Sequence, residues 1–276
     1  MFGALVGDLI GSVHEFAGTK RKDFSPLIHP AARFTDDSVL TCAVAEALLA
    51  GERAEAIARR FKRWGNRYPR CGFSAQFREW LWSSSLLPFG SFGNGAAMRV
   101  SPAALLARTA DEALALAQAT AEVTHDHPEG IRGAQAAALA TFLALRGEPA
   151  QVIRRTVAEQ SGYDLSRSVD EIRPAYRFDG TCQGSVPQAL VCALEALDFE
   201  DAIRNAISLG GDADTLAAIA GAVAEARFGI PQQVARQVEA MMPADMREVM
   251  SDLYARAGRA LPWAQGNMGT ATFDPR

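Results

Sequence analysis

Cysteine and histidine are scarce, and the few present are badly placed for soft-metal or disulfide chemistry. Cys42, Cys71, Cys182 and Cys192 are the four cysteines of a 276-residue chain. None falls in a Cys-x-x-Cys pair, which argues against a structural zinc site and a disulfide scaffold. His125 and His127 are two apart in Thr124-His125-Asp126-His127-Pro128, but no further His or Cys lies at ligand spacing, so zinc is not expected there. Neither sign of charge dominates: 28 Lys and Arg against 32 Asp and Glu leave a net charge of −4. That leaves no electrostatic footprint for nucleic acid. The clusters Lys20-Arg21-Lys22 and Arg59-Arg60 with Lys62-Arg63 read as solvated surface. No run approaches the roughly 18 apolar residues of a membrane span. Met1 to Phe16 is apolar but interrupted by Asp8, His14 and Glu15 and lacks a basic leader, so it does not read as a signal peptide. A cytoplasmic chain, monomeric by default, is the expectation.

What is present is helical periodicity almost throughout. Hydrophobic residues make up 49% of the chain, enough for a sizeable core. The spacing predicts helices over 2–13, from Asp36 onward, and over 52–68, 73–84, 96–108, 110–123, 129–146, 149–161, 185–197, 199–208, 214–228, 231–242 and 244–259. Residues 162–182 are the least helical. Residues 17–33 read as a loop, either a plain connector or a lid. With no internal repeat and no composition break, the expectation is one compact all-α domain of many helices over 1–262, followed by a tail over 263–276.

Two of these helices open on acids. Gly210-Gly211-Asp212-Ala213-Asp214-Thr215 precedes an apolar run with Leu216, Ile219, Ala220 and Val223 at helical spacing. Phe34-Thr35-Asp36-Asp37-Ser38 does the same ahead of Leu40, Ala43, Val44 and Ala47. Capping is one reading, since Asp and Thr bond free backbone N–H groups at a helix start. One acid suffices for that, whereas crowded carboxylates repel and a bound cation relieves them. If the two starts converge, Thr35, Asp36, Asp37, Asp212, Asp214 and Thr215 form an all-oxygen set suited to Mg²⁺, Mn²⁺ or Ca²⁺, with room for two ions. Gly93-Asn94-Gly95-Ala96-Ala97-Met98-Arg99 puts small residues ahead of a helix. It is either a backbone cradle for phosphate or a packing turn, and it is not a Walker loop.

Gly7-Asp8 with Gly11-Ser12 and Glu15, then Thr35-Asp36-Asp37-Ser38, Gly93 to Arg99, Thr124-His125 with Pro128, and Gly210 to Thr215 occur in that order. In this order they resemble the ADP-ribosylglycohydrolase family, over residues 3 to about 228. The resemblance implies a compact helical fold, two Mg²⁺ ions (Mn²⁺ as an alternative) and ADP-ribose with an ADP-ribosylated substrate as partners. It implies that Gly93, Asn94, Gly95 and Met98 surround the pyrophosphate and distal ribose, with His125 beside the phosphates and Gly211 at the substrate. It places Glu15 at the metal site as ligand or acid–base group and makes Asp8 a structural hydrogen-bonding residue. Gln183 and Ser185 lie in Gly180-Thr181-Cys182-Gln183-Gly184-Ser185, near the proximal ribose and leaving group. There the sequence departs from the common pattern.

The function expected is hydrolysis of the bond between C1″ of ADP-ribose and an acceptor, an arginine-type N-glycoside being favoured. One of Asp36, Asp37, Asp214 and Glu15 would act as general acid or base. A non-catalytic ADP-ribose-binding protein, a metal-free structural relative and a two-metal phosphohydrolase are the alternatives. Tyr176 or Phe178 is a candidate to stack on adenine or to be a core aromatic. Cys182 has no partner base to make it a nucleophile.

Overall fold

The computed structural model describes residues 1–264. Helices account for all of the regular structure among them; the one β contact is an isolated bridge between Gly93 and Thr181. In chain order they are α1 (Phe2–Gly11), α2 (Asp36–Leu49), α3 (Glu55–Arg67), α4 (Ala75–Trp82), α5 (Gly95–Met98), α6 (Ser101–Leu106), α7 (Ala110–Ala121) and α8 (Pro128–Leu145). There follow α9 (Ala150–Ser161), α10 (Val169–Ile172), α11 (Cys182–Glu195), α12 (Phe199–Ser208), α13 (Ala213–Phe228), α14 (Gln232–Met241) and α15 (Ala244–Arg256).

The fold is built around α13, which packs against α1, α8, α11 and α12. Every residue of α1 is buried, and so is α13 from Ala213 to Glu225. A helix apolar on all sides has no solvent face to turn outward and must be surrounded. The side chains facing the α1–α13 crossing are mostly absent or methyl-sized. A Cβ added at Gly3 would lie 2.3 Å from the Gly221 carbonyl oxygen, and one at Gly7 would lie 1.9 Å from that of Ala217. At Gly11 it would lie 2.5 Å from the Cα of Asp214. The two backbones therefore touch, and the last turn of α1 abuts the first turn of α13.

Three sequence expectations shift in detail. The helix expected over 96–108 is two short ones, α5 and α6, separated at Arg99-Val100, with Pro102 in the first turn of the second. The helix expected from 185 starts at Cys182, because Thr181 caps it by accepting from the Gly184 N–H at 3.1 Å. The least helical stretch holds α10, opened by a capping box between Ser168 and Glu171. The loop over residues 17–33 is tied down: Lys20 donates to the carbonyls of Arg173 (2.8 Å) and Tyr176 (2.7 Å). At the other end, Trp263, placed in the tail by sequence, packs edge-on against Phe2 with ring centroids 4.6 Å apart. Residues 265–276 of that tail lie outside the described residues.

Candidate active site

The starts of α2 and α13 converge. Thr35 caps α2 by accepting from the Asp37 N–H, and its hydroxyl donates to Asp8 Oδ1 at 2.6 Å. Asp8, fully buried on α1, also accepts from the backbone N–H of Thr35 (2.9 Å) and Ser38 (3.1 Å), and from the Ser38 hydroxyl. Its carboxylate thus fastens α1 to the head of α2. On the opposite side Asp212 precedes α13 without capping it. It instead accepts from Asn94 Nδ2 at 2.8 Å, and Asn94 is held by Ser185 Oγ at 3.1 Å. Simple capping therefore accounts for Thr35 but not for Asp212.

Carboxylate oxygens of Asp8, Asp37 and Asp214 lie within 4.8 Å of one another, and so do those of Glu15, Asp212 and Asp214. Asp214 belongs to both groups. Thr215 donates to Asp37 Oδ2 at 3.3 Å, while Asp37 Oδ1 is buried with no hydrogen-bond partner. Among the described residues no lysine or arginine forms an ion pair with any of these acids. Burial first, and then mutual repulsion led by Asp214, raises Asp36, Asp37 and Asp212 well above the usual carboxylate range. Burial raises Asp214 as well. The same causes in the same order hold Asp8 and the half-buried Glu15 up at about 7. An all-oxygen acidic set with an orphaned carboxylate oxygen is what a hard divalent cation requires.

All of these acids except Asp8 line one cavity of about 300 Å³. Glu15, Asp36, Asp37, Asp212, Asp214 and Thr215 share it with Gly93, Asn94, Gly95, Met98 and His125. The Gly93–Gly95 turn is clamped to the head of α11 by Asn94 N–H to the Gly180 carbonyl (2.8 Å) and Cys182 N–H to that of Phe92 (2.9 Å). His125 Nε2 faces the turn, 3.6 and 3.5 Å from where a Cβ would stand on Gly93 and Gly95. Its Nδ1 is 2.7 Å from Thr124 Oγ1. Burial, and then the Arg99 charge, push its pKa well below the ordinary histidine value.

Thr35, Tyr176, Gln183, Ser185 and Gly211, also named from sequence, sit outside the lining. Gln183 is exposed on α11, Ser185 acts behind Asn94, and Gly211 lies beneath Tyr176, whose ring leaves no room for a Cβ there. Thr35 faces Asp8 and Asp37 from behind. Tyr176 is half-buried and donates to the Gly184 carbonyl at 3.0 Å, whereas Phe178 lies at the cavity rim, stacked on exposed Phe16 with centroids 6.1 Å apart. His127 caps α8. Burial pushes the Cys182 thiol up to about 12, which leaves it inert at neutral pH. Sequence reading did not name Phe16, Gly72, Ser74 or Ser91 for the lining, and it named Arg99 only as the end of the Gly93–Arg99 segment. Ser91, in the glycine-rich approach to Gly93, and Arg99 carried a signal that could have found them.

A sequence model described as ADP-ribosylglycohydrolase matches residues 1–262. The chain belongs to the ADP-ribosylglycohydrolase family. Among its relatives, ADP-ribosylhydrolase ARH3 of Bos taurus is 28% identical, over 83% of this chain and 84% of that protein. ADP-ribosylarginine hydrolase Tri1 of Pseudomonas putida (strain GB-1) is 25% identical, over 93% of this chain and 77% of the relative. The solved structure of an ADP-ribosylglycohydrolase-related protein complex superposes with a TM-score of 0.65 at 24% identity, over 92% of this chain and 96% of the other, a likeness of fold.

Proposed function

We propose that this ADP-ribosylglycohydrolase-family protein hydrolyses the glycosidic bond between C1″ of ADP-ribose and a protein side chain, releasing ADP-ribose, with two Mg²⁺ ions at its acids. The observation that carries the reading is one continuous cavity. Its lining holds carboxylates without an ion-pair partner among the described residues, together with a glycine turn facing a histidine nitrogen. A ligand with a vicinal diol and a pyrophosphate fits both. Thr35, Asp36, Asp37, Asp212, Asp214 and Thr215 would hold the ions, with Mn²⁺ also suited to such oxygens. When bound, the ions supply neutralisation of the carboxylates, a grip on ribose hydroxyls and acidification of water.

The chain's own residues do the rest. Gly93 and Gly95 bring bare backbone against the pyrophosphate, and Asn94 carries no charge to repel it. Glycoside cleavage passes through an oxocarbenium-like transition state, which the surrounding carboxylates stabilise. Proton transfer falls to one of Asp36, Asp37, Asp214 and Glu15. Glu15 and Asp36, both half-buried at the cavity wall, are the two open to exchange with solvent, whereas Asp37 and Asp214 are buried. An arginine acceptor is favoured because Phe16 and Phe178 present aromatic faces at the rim, where a planar guanidinium can stack. The proposal carries with it a cytoplasmic monomer; no helix among the described residues is long and apolar enough to cross a membrane.

The test is calorimetric titration of ADP-ribose into chelator-treated and Mg²⁺-loaded protein, followed by incubation with ADP-ribosylated arginine and serine peptides. Mg²⁺-dependent binding and catalytic release of free ADP-ribose are expected, faster from arginine. AMP as the product would replace the reading with a phosphohydrolase. Tight metal-independent binding without turnover would replace it with a binding protein.

A further inference from the structure

The residue that parts α5 from α6 is a buried arginine whose charge has no partner. Arg99 is completely excluded from solvent, and its Nε and Nη1 make no hydrogen bond. Its guanidinium carbon lies 4.4 Å from the centroid of the Phe61 ring. One nitrogen, Nη2, donates to Thr124 Oγ1 at 2.7 Å and, at 3.3 Å, to the Thr120 carbonyl. Burying a guanidinium for so few bonds is costly and calls for a reason.

We propose that Arg99 is a positioning residue which, through Thr124, fixes His125 as the neutral imidazole carrying its proton on Nε2, where it faces the Gly93–Gly95 turn. The role it serves rests on the reading of that turn as the pyrophosphate site.

The assignment follows from counting protons. An arginine only donates. Thr124 Oγ1 therefore accepts from Arg99, and its own hydrogen needs an acceptor. His125 Nδ1, at 2.7 Å, is the one side-chain acceptor bonded to it among the described residues. If Nδ1 instead carried the proton, Thr124 Oγ1 would accept twice and its buried O–H would go unpaired. So Nδ1 accepts and Nε2 holds the proton. Gly93 and Gly95 bring no side chain toward Nε2, which shares the space beside Gly93 with Ser91 Oγ and the Gly180 carbonyl, and a ligand oxygen reaching Nε2 there meets an N–H. The other tautomer would meet that oxygen with a lone pair. The positive charge of Arg99 also opposes formation of the imidazolium, in the same direction as burial.

The test is ¹⁵N NMR of protein labelled at its four histidines, with His125 assigned by loss of its signals in His125→Gln. Across about pH 6 to 8, the ligand-free wild type should show His125 protonated on Nε2 alone. Thr124→Val should give a mixture of tautomers and weaken ADP-ribose binding about tenfold, while Thr124→Ser, which keeps the hydroxyl, should restore both. Arg99→Met should behave like Thr124→Val; should it fail to fold, the Val and Ser pair still decides. A wild-type His125 protonated on Nδ1 or doubly protonated would overturn the proposal. So would a Thr124→Val variant with wild-type tautomer and affinity. The predicted tautomer pattern in a protein that binds no ADP-ribose would uphold the relay and sink the pyrophosphate reading instead.

Discussion

At the scale of single residues, Asp37 and Asp214 do the most with the least support. Asp37 Oδ1 is buried without a partner, and Asp214 joins both acidic groups. Neither is bound to a lysine or arginine, so removing either acid breaks no ion pair. Asp37→Ala and Asp214→Ala should therefore each lower kcat/KM on an ADP-ribosylated substrate by at least about 100-fold. Each should leave the metal-free Tm unchanged or higher, because repulsion falls. Activity near wild type in both variants would remove these acids from the mechanism. The residue types were legible in the sequence, since paired acids exceed what capping needs. The part of Asp8 was legible only in outline. Its four hydrogen bonds bear out a structural duty, yet its oxygens also stand within 4.8 Å of Asp37 and Asp214. Nothing in a lone Gly-Asp pair tells a fastening acid from a ligand.

At the scale of elements, the site is placed by the crossing of α1 and α13. Gly3, Gly7 and Gly11 recur every fourth residue, so they form one face of α1 against the carbonyls of Gly221, Ala217 and Ala213. Replacing glycine by alanine in an isolated helix stabilises it by about 1 kcal/mol. In Gly7→Ala the new Cβ would meet the Ala217 oxygen at 1.9 Å, so the helices must separate. The expected result is a loss of about 2–4 kcal/mol in chemical denaturation, within and above the usual overpacking range, together with weaker Mg²⁺ binding because Asp214 moves with α13. A variant as stable as wild type with the same metal affinity would show that this crossing does not set the site. Periodicity disclosed nearly every long helix, because amphipathic or apolar repeats survive in any packing. It ran through the break between α5 and α6 because the apolar repeat continues across Arg99, although Pro102, in the first turn of α6, is a legible sign of a new helix start. It missed α10 although Ser168-Val169-Asp170-Glu171 is a legible capping box. That two acidic helix starts meet was inferred, since spacing does not encode where helices cross.

At the scale of the whole molecule, the fold holds several acids together against their own repulsion, and its stability without metal should depend on pH accordingly. Asp8 and Glu15 stand at about 7 in the folded protein, against roughly 4 for unperturbed carboxylates. Asp36, Asp37 and Asp212 are displaced in the same direction. An acid whose pKa is higher folded than unfolded binds more protons in the folded state between those values. Its contribution is therefore whole below about pH 4 and is lost as pH rises through about 7. The Tm of chelator-treated protein should fall by about 5–10 °C from pH 5 to pH 8, a change of a few kcal/mol in a chain this long. Mg²⁺ binds only the folded arrangement, so the Tm gained on adding it should grow over the same interval. Asp37→Asn removes one of the crowded charges and should flatten the metal-free curve. Scanning calorimetry at several pH values, with and without Mg²⁺, measures all three. A metal-free Tm that stays level or climbs toward pH 8 would mean that the acids are not crowded, and the case for cations at this site would lose its electrostatic basis.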